Sequence, residues 1–286
     1  MKSKKIEFIC ADICKKQTLK KIIEKGDHVF HLAALGGSRQ MPFKIYEKIN
    51  VIGTKNILDV SIENKASKFF FMSTISVMSG SRPIPFDETT KPIPKSIYGI
   101  TKYRAEKYIK KKSKKNITSI IFRAPLIYGP SPHKDSGIFN IVNMLNKSFY
   151  PMVNKGRTKI AMINVHNLIE MIKITLKITN KKTHVFFVKD NETLTMHELV
   201  SMLQKITKIK NKIIYIPSFF LTIGFSIINI YSKIFKKNTK LNYDVWKGAV
   251  SNQFTYSITK VKKLGYKQKN NLKQGFNEVL RSLNMI

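Results

Sequence analysis

Apolar residues along this chain recur at two periods, and stretches of one alternate with stretches of the other. A short apolar run at 6–10 is followed by a helical pattern over 18–23 and a second run at 27–32, which predicts strand, helix, strand. Helical spacing then extends over 43–64, and 68–72 (KFFFM) reads as a buried strand. A proline-rich stretch at 82–94 leads into a helix carrying Tyr98 and Lys102, after which 117–122 is again a strand. Such alternation predicts an α/β protein with a parallel sheet and helices on both faces. Farther on, helix is expected at 136–147, strand at 158–164, helix at 165–178 and a returning strand at 184–188. The chain divides on this pattern into a sheet domain, 1–188, and a smaller domain, 189–286, ending in a helix over 273–283. Ligands of parallel sheets bind outside the carboxyl ends of the strands. Residues 31–34, 73–74 and 123–125 each follow a strand, so these loops are expected to converge on one crevice.

One run stands out for length. Residues 213–232 contain no charge and are flanked by Lys212 and Lys233, which is long enough to cross a bilayer. Pro217, Gly224, Asn229 and several hydroxyls interrupt it. The expectation is a buried or pocket-lining helix, with an interfacial helix on anionic lipid as the weaker reading.

Composition changes the picture less than its extremes suggest. A hydrophobic content of 43% fits a folded chain and not a disordered one. The formal net charge of +35 invites a nucleic-acid reading, yet of the 52 basic residues only Arg39, Arg82, Arg104, Arg123, Arg157 and Arg281 are arginine. Groove readers rely on arginine forks, and the lysines spread over the whole chain, so no nucleic-acid partner is expected. A general attraction to anionic ligands and surfaces follows from the charge, which leaves peripheral contact with anionic membrane open. Cys10 and Cys14 make no disulfide framework and supply too few ligands for a structural zinc, so a reducing compartment and no metal are expected. The first residues are basic without a long apolar segment behind them, which predicts no signal peptide and a cytoplasmic location.

The candidate chemistry lies at Tyr98-Gly99-Ile100-Thr101-Lys102. Four residues apart on a helix, the phenol and the ammonium share a face. A neighbouring cation favours phenolate and lowers a pKa that is ordinarily about 10. A phenol tuned in this way can shuttle a proton to or from a hydroxyl or carbonyl.

With that pentamer stand Asp12-Ile13, His31-Leu32-Ala33-Ala34, Asn50-Val51-Ile52-Gly53-Thr54, Ser73-Thr74, Glu106, Arg123 with Tyr128-Gly129-Pro130, and Leu264-Gly265-Tyr266, in this order. The set resembles the extended short-chain dehydrogenase/reductase family, and within it the NAD-dependent epimerase/dehydratase group that acts largely on nucleotide sugars. The resemblance implies a Rossmann-like domain with a small C-terminal substrate-binding subdomain. It implies NAD as cofactor, with NADP also open, a nucleotide-sugar-like small molecule as partner, and leaves a homodimer open. Tyr98 would be the acid/base, Lys102 would hold the nicotinamide ribose, and Thr74 would hydrogen-bond the reacting oxygen. Asp12 and Ile13 would flank the adenine, Leu32, Ala33 and Ala34 would let the cofactor approach the backbone, and Pro125 would face the nicotinamide. Asn50 would support the crevice, with Thr54 packed behind it, and His31 would be a packing residue beneath the site.

Departures from the family pattern matter as much. Relatives carry an Asp-Glu pair after the Thr74 position when they are dehydratases; Ile75-Ser76 stand here, so hydride removal and return, as in 4-epimerases, is the expected reaction. The alternatives are a hydroxysteroid or flavonol-type reductase and a non-catalytic binding or assembly protein that kept the fold. Two acids expected near 166–167 are absent, and His166-Asn167 are expected to cap the next helix in their place. The family's Gly-rich turn (GxxGxxG) and its first βαβ unit are also missing ahead of 6–10. The sequence thus predicts weak NAD binding and exposed strand edges for the chain as it stands.

Overall fold

The computed structural model describes residues 6–37, 39, 41–81, 84–134, 136–217, 219 and 255–286. In chain order the first part contains helix α1 (Lys16–Leu19), strand β1 (His28–His31), helix α2 (Phe43–Tyr46), a π-helical segment (Glu47–Ile52) and helix α3 (Gly53–Glu63). Strand β2 (Lys68–Thr74), a 3-10 turn (Ile75–Met78), helix α4 (Ile97–Ser113) and strand β3 (Thr118–Ala124) follow. The second part interleaves β4 (Leu126–Tyr128), α5 (Gly137–Met144), β5 (Phe149–Val153), β6 (Lys159–Ile160), β7 (Met162–Asn164), α6 (Val165–Thr175), β8 (Thr183–Phe187), β9 (Leu194–Thr195), α7 (Met196–Thr207) and β10 (Lys212–Ile216). Two further helices, α8 (Thr259–Lys262) and α9 (Leu272–Ser282), close the chain.

The main sheet has the order β1-β2-β3-β8 and every pairing in it is parallel. Parallel strands covered on both faces read as continuous apolar runs, and six of the seven residues of β2 and all of β3 are buried. Alternation along β2 sends Phe69 and Phe71 into one core with Leu58 of α3 and Ala105 and Ile109 of α4. Phe70 faces a second core that holds Phe122, Phe186, Leu168 and Met171 of α6, and Tyr256, Val261 and Tyr266. A separate core joins α5, β5, α7 and α9 through Val142, Tyr150, Leu203 and Phe276.

Four expectations need correction. Residues 6–10 form no strand: Ile6 is 81% and Phe8 93% exposed, and among the described residues no strand lies beside them to take up their hydrogen bonds. The helix expected over 18–23 is the single turn α1. The 158–164 strand divides at Ala161 into β6, paired with β9, and β7, paired with β4. His166-Asn167 do not cap α6; Asn164 does, accepting from the His166 N–H at 2.9 Å. Of the uncharged run at 213–232, the start is the end of β10; all of it from 218 onward except Phe219 lies outside the described residues. Among the described residues no helix is long and apolar enough to cross a membrane.

Candidate active site

Three strand ends set the position of the site. Because β1, β2 and β3 run parallel with Phe71 opposite His31 and Ala124 opposite Thr74, the loops after them leave the sheet at the same edge. Thr74 ends β2 and caps the 3-10 turn that follows, its Oγ1 accepting from the Ser76 N–H at 3.2 Å. Pro125 follows Ala124 directly, beside Thr74.

Helix α4 then delivers the tyrosine. Ser96 caps it, accepting from the Gly99 N–H at 3.0 Å, so Tyr98 lies in the first turn and Lys102 one turn farther on. A Cβ added to Gly99 would sit 2.7 Å from the Ser76 carbonyl oxygen. Glycine is therefore what lets the turn after β2 touch the helix, and that contact sets Thr74 close to the Tyr98 phenol. On the other side, a Cβ on Gly37 would lie 3.1 Å from the Tyr98 ring. The loop carrying Gly37 is held by Tyr46, whose hydroxyl donates to the Gly36 carbonyl at 2.9 Å and to that of Arg39.

The electrostatics depart from expectation. Burial pushes the Tyr98 phenol up to about 12, and of its neighbours Thr74 pulls it down while Tyr46 adds to the rise. Lys102 does not depress it. Its ammonium lies 4.0 Å from the centre of the Phe71 ring, and the residue is 2% exposed. Burial lowers Lys102 to about 7, against an opposing pull from Glu106. A cation that is itself near half-protonation and seated on an aromatic face has little charge to lend a phenol at neutral pH.

Beneath the pair lies a connected polar frame. Asn50, 1% exposed in the π-helical segment, accepts from the Leu35 N–H at 2.8 Å and donates to the Leu35 carbonyl at 3.1 Å and to Thr101 Oγ1 at 3.3 Å. It thereby ties the loop after β1 to α4. Thr54 donates to the Asn50 carbonyl at 2.7 Å and shares a 2.9 Å hydrogen bond with His31 Nε2. His31 Nδ1 is buried without a partner, and burial together with Lys102 lowers the ring to about 3. Glu106, one turn beyond Lys102, is wholly buried; it accepts from Ser73 Oγ at 2.5 Å and from Arg123 Nη2 at 2.7 Å and Nε at 3.2 Å.

The remaining candidates occupy the margin. Leu32, Ala33 and Ala34 are exposed where β1 ends, and Leu32 at 62% is not part of a core. Asp12 and Ile13 stand apart from Tyr98 on a ledge formed with α3. The exposed Asp12 carboxylate accepts from the Cys14 N–H at 2.9 Å, Ile13 packs where a Cβ on Gly53 would meet it at 2.7 Å, and its carbonyl accepts from Asn56 Nδ2 at 2.9 Å. The structure thus joins Thr74, Tyr98, Lys102 and Asn50 and leaves Asp12 and Ile13 separate. Tyr46 and Gly37 enter the site only through these contacts, and Gly99, a member of the pentamer, takes its role from the Ser76 carbonyl that approaches it. Tyr46 stands four residues before Asn50, one helical turn, and that spacing was its only local signal.

The profile of the NAD dependent epimerase/dehydratase family matches residues 1–187. The chain is 27% identical over 276 residues, 94% of its length and 81% of the relative's, to an N-acetyl-alpha-D-glucosaminyl-diphospho-ditrans,octacis-undecaprenol 4-epimerase of Escherichia coli O157:H7. It is 23% identical to the UDP-glucose 4-epimerase of Vibrio cholerae over 84% of this chain and 70% of that one. In fold it is similar to the crystal structure of the UDP-glucose 4-epimerase of Thermotoga maritima with UDP-glucose, at a TM-score of 0.75 and 21% identity, covering 96% of this chain and 83% of that one. The UDP-glucuronic acid 4-epimerase of Bacillus cereus in complex with NAD superposes with a TM-score of 0.73 at 20% identity, over 96% and 79% of the two chains.

Proposed function

Because this chain belongs to the NAD dependent epimerase/dehydratase family, we propose that it removes a hydride from a carbinol carbon of a diphosphate-linked sugar and returns it on the opposite face, inverting the hydroxyl. The observation that carries this reading is the approach of the turn after Thr74 to Gly99 of α4, which seats Thr74 beside the Tyr98 phenol at the shared edge of parallel strands, with Lys102 one turn below. NAD is the cofactor that fits these residues, and it supplies a hydride acceptor and donor when bound. Lys102 suits its nicotinamide ribose: the nearly buried ammonium has no hydrogen-bond partner among the described residues, leaving donors for ribose hydroxyls. The alanines at 33 and 34 offer only methyl groups at an exposed strand end, where a dinucleotide can approach the backbone, and Pro125 adjoins Thr74 for the nicotinamide side. Asp12 and Ile13 are assigned to the adenosine end.

In this reading Thr74 orients the substrate hydroxyl, and Tyr98 takes its proton as the hydride leaves and gives it back when the hydride returns. A phenol raised to about 12 holds its proton at neutral pH. The base form therefore depends on added positive charge in the crevice, from an ammonium that stays protonated once ribose hydroxyls accept from it. Ile75-Ser76, in place of an acidic pair, favour epimerisation over elimination. The sugar carrier is a nucleoside diphosphate, as in the UDP-glucose 4-epimerase relative, or a polyprenyl diphosphate, as the name of the Escherichia coli relative indicates.

The test is incubation of the purified chain and NAD with UDP-hexoses and polyprenyl-diphosphate amino sugars deuterated at C4, read by NMR. Epimer formation with the label retained at C4 is expected, and loss of that turnover in Tyr98→Phe. Elimination to a 4-keto-6-deoxy sugar, or equal turnover by Tyr98→Phe, would overturn the proposal.

A further inference from the structure

The strand pair β5/β10 turns its two faces to different surroundings. In a parallel pair, residues in register share a face, so Phe149 lies with Lys212, Pro151 with Ile214 and Val153 with Ile216, while Tyr150 lies with Ile213 and Met152 with Tyr215. Tyr150 and Met152 are buried in the core shared with α5, α7 and α9, and Ile213 packs against it. The first face is open, with Phe149 49% and Ile214 41% exposed, and Met144 at the end of α5 is 36% exposed; on the other face only Tyr215, 49% exposed with its hydroxyl 3.3 Å from His197 Nδ1, reaches solvent to the same degree.

Beside this face is an open cleft of about 680 Å³ between the end of α7 and the start of β10, lined by Lys205, Lys208 and Lys210 with Gln204 and Asn211 among its neutral members. The two features are joined. Gln204 Nε2 donates to the Asn211 carbonyl at 2.9 Å and to its Oδ1 at 2.7 Å, and Asn211 Nδ2 donates to the Met144 carbonyl at 3.3 Å. The next residue, Lys212, pairs with Phe149. No acidic residue occurs from Ser136 to Ile169 or from Leu199 to Tyr243. Lys147, Lys205, Lys208, Lys210 and Lys212 make no ion pair among the described residues.

Apolar side chains that protrude from a sheet, bordered by unpaired ammonium groups, match one kind of partner in both respects. Lipid phosphates neutralise the lysines, and the boundary between headgroups and acyl chains accepts Phe149, Ile214 and Met144. A nucleic acid would use the charge and leave the aliphatic face wet. We propose that the open face of β5/β10 and the adjoining lysine cleft form a docking surface for anionic bilayers, on which this chain sits peripherally. The surface stands on its own geometry and does not depend on the sugar chemistry above.

Co-sedimentation of the full chain with vesicles tests it. Binding is expected to vesicles of phosphatidylcholine with about one third phosphatidylglycerol at about 0.1 M salt, with release at about 1 M salt and none to phosphatidylcholine alone. Lys208→Glu/Lys210→Glu should weaken binding at least about tenfold, and Phe149→Ser/Ile214→Ser should weaken it severalfold, each with an unchanged melting temperature. Lys111→Glu/Lys112→Glu, on the exposed end of α4, should bind as the parent does. An equal loss in that control would mean diffuse attraction by the net charge and would overturn the proposal. So would absence of binding to the anionic vesicles, or binding that neither patch variant weakens.

Discussion

Tyr98 and Lys102 share a helix face, yet burial acts on them in opposite directions, raising the phenol to about 12 and lowering the ammonium to about 7. Replacing Tyr98 with Phe removes only the hydroxyl, so turnover should fall by about 10²-fold or more while the circular dichroism spectrum stays that of the parent. His31, Lys102's buried neighbour, adds a second titration. Its folded value, about 3, lies below its ordinary value of 6.5, so the unfolded chain binds the extra proton between pH 6.5 and 3 and stability is lost as pH falls through that window. The same sign holds for Lys102: between about 7 and 10.5 the unfolded chain carries the extra proton, so stability rises with pH there. Urea midpoints should therefore be higher at pH 9 than at pH 5. Lys102→Met should flatten the upper part of that slope and His31→Gln the lower part; a midpoint that falls from pH 5 to pH 9 would contradict both assignments.

At the level of elements, the contact between α4 and the turn after β2 decides the site. Helix propensity alone predicts that Gly99→Ala stabilises α4 by about 1 kcal/mol. Against this stands a Cβ placed 2.7 Å from the Ser76 carbonyl oxygen, a backbone atom that cannot move without shifting the turn. Overpacking of this kind costs about 1–3 kcal/mol, so the clash wins. Gly99→Ala should lower stability in chemical denaturation and reduce turnover further than the stability loss explains, because Thr74 moves away from Tyr98. The middle of the same helix is anchored by Glu106. Glu106→Gln leaves the Arg123 guanidinium, 1% exposed, without its counter-charge. The loss should be about 3–5 kcal/mol, measurable as a lower urea midpoint with an unchanged slope.

Across the whole molecule, Asp190 joins parts that the chain order keeps far apart. Its carboxylate accepts from the Tyr128 hydroxyl at 2.7 Å, from the Asn164 N–H at 3.1 Å and from Asn167 Nδ2 at 2.8 Å. Asn167 in turn donates to the Asn270 carbonyl at 2.8 Å and accepts from the Lys269 and Asn270 N–H groups. A buried acid from beyond β8 thus fixes the start of α6 through Asn164 and Asn167. Asp190→Asn keeps the shape but turns one acceptor into a donor facing other donors. It should cost about 1–3 kcal/mol and lower the calorimetric melting temperature; an unchanged melting temperature would show that the three hydrogen bonds contribute nothing net.

Local spacing was sufficient for much of this protein. The period-two and period-3.6 stretches placed the four strands of the main sheet and helices α4, α6 and α9 within a few residues, because strands buried on both faces and helices with one apolar stripe carry their environment in their own composition. The pentamer at 98–102 likewise placed a phenol and an ammonium on one helix face without reference to the rest of the chain. What the tertiary structure alone decided depends on neighbours distant in sequence. The apolar run at 6–10 is no strand because pairing requires a partner at its edge. Helical spacing over 43–64 did not reveal the π-helical segment, where the helix closes to position Asn50 against Leu35 and Thr101. The glycines at 37 and 99 acquire meaning only from the ring and the carbonyl that approach them. The direction of the Tyr98 shift also reversed, since proximity to a lysine is a local property, whereas desolvation is set by everything packed around the pair.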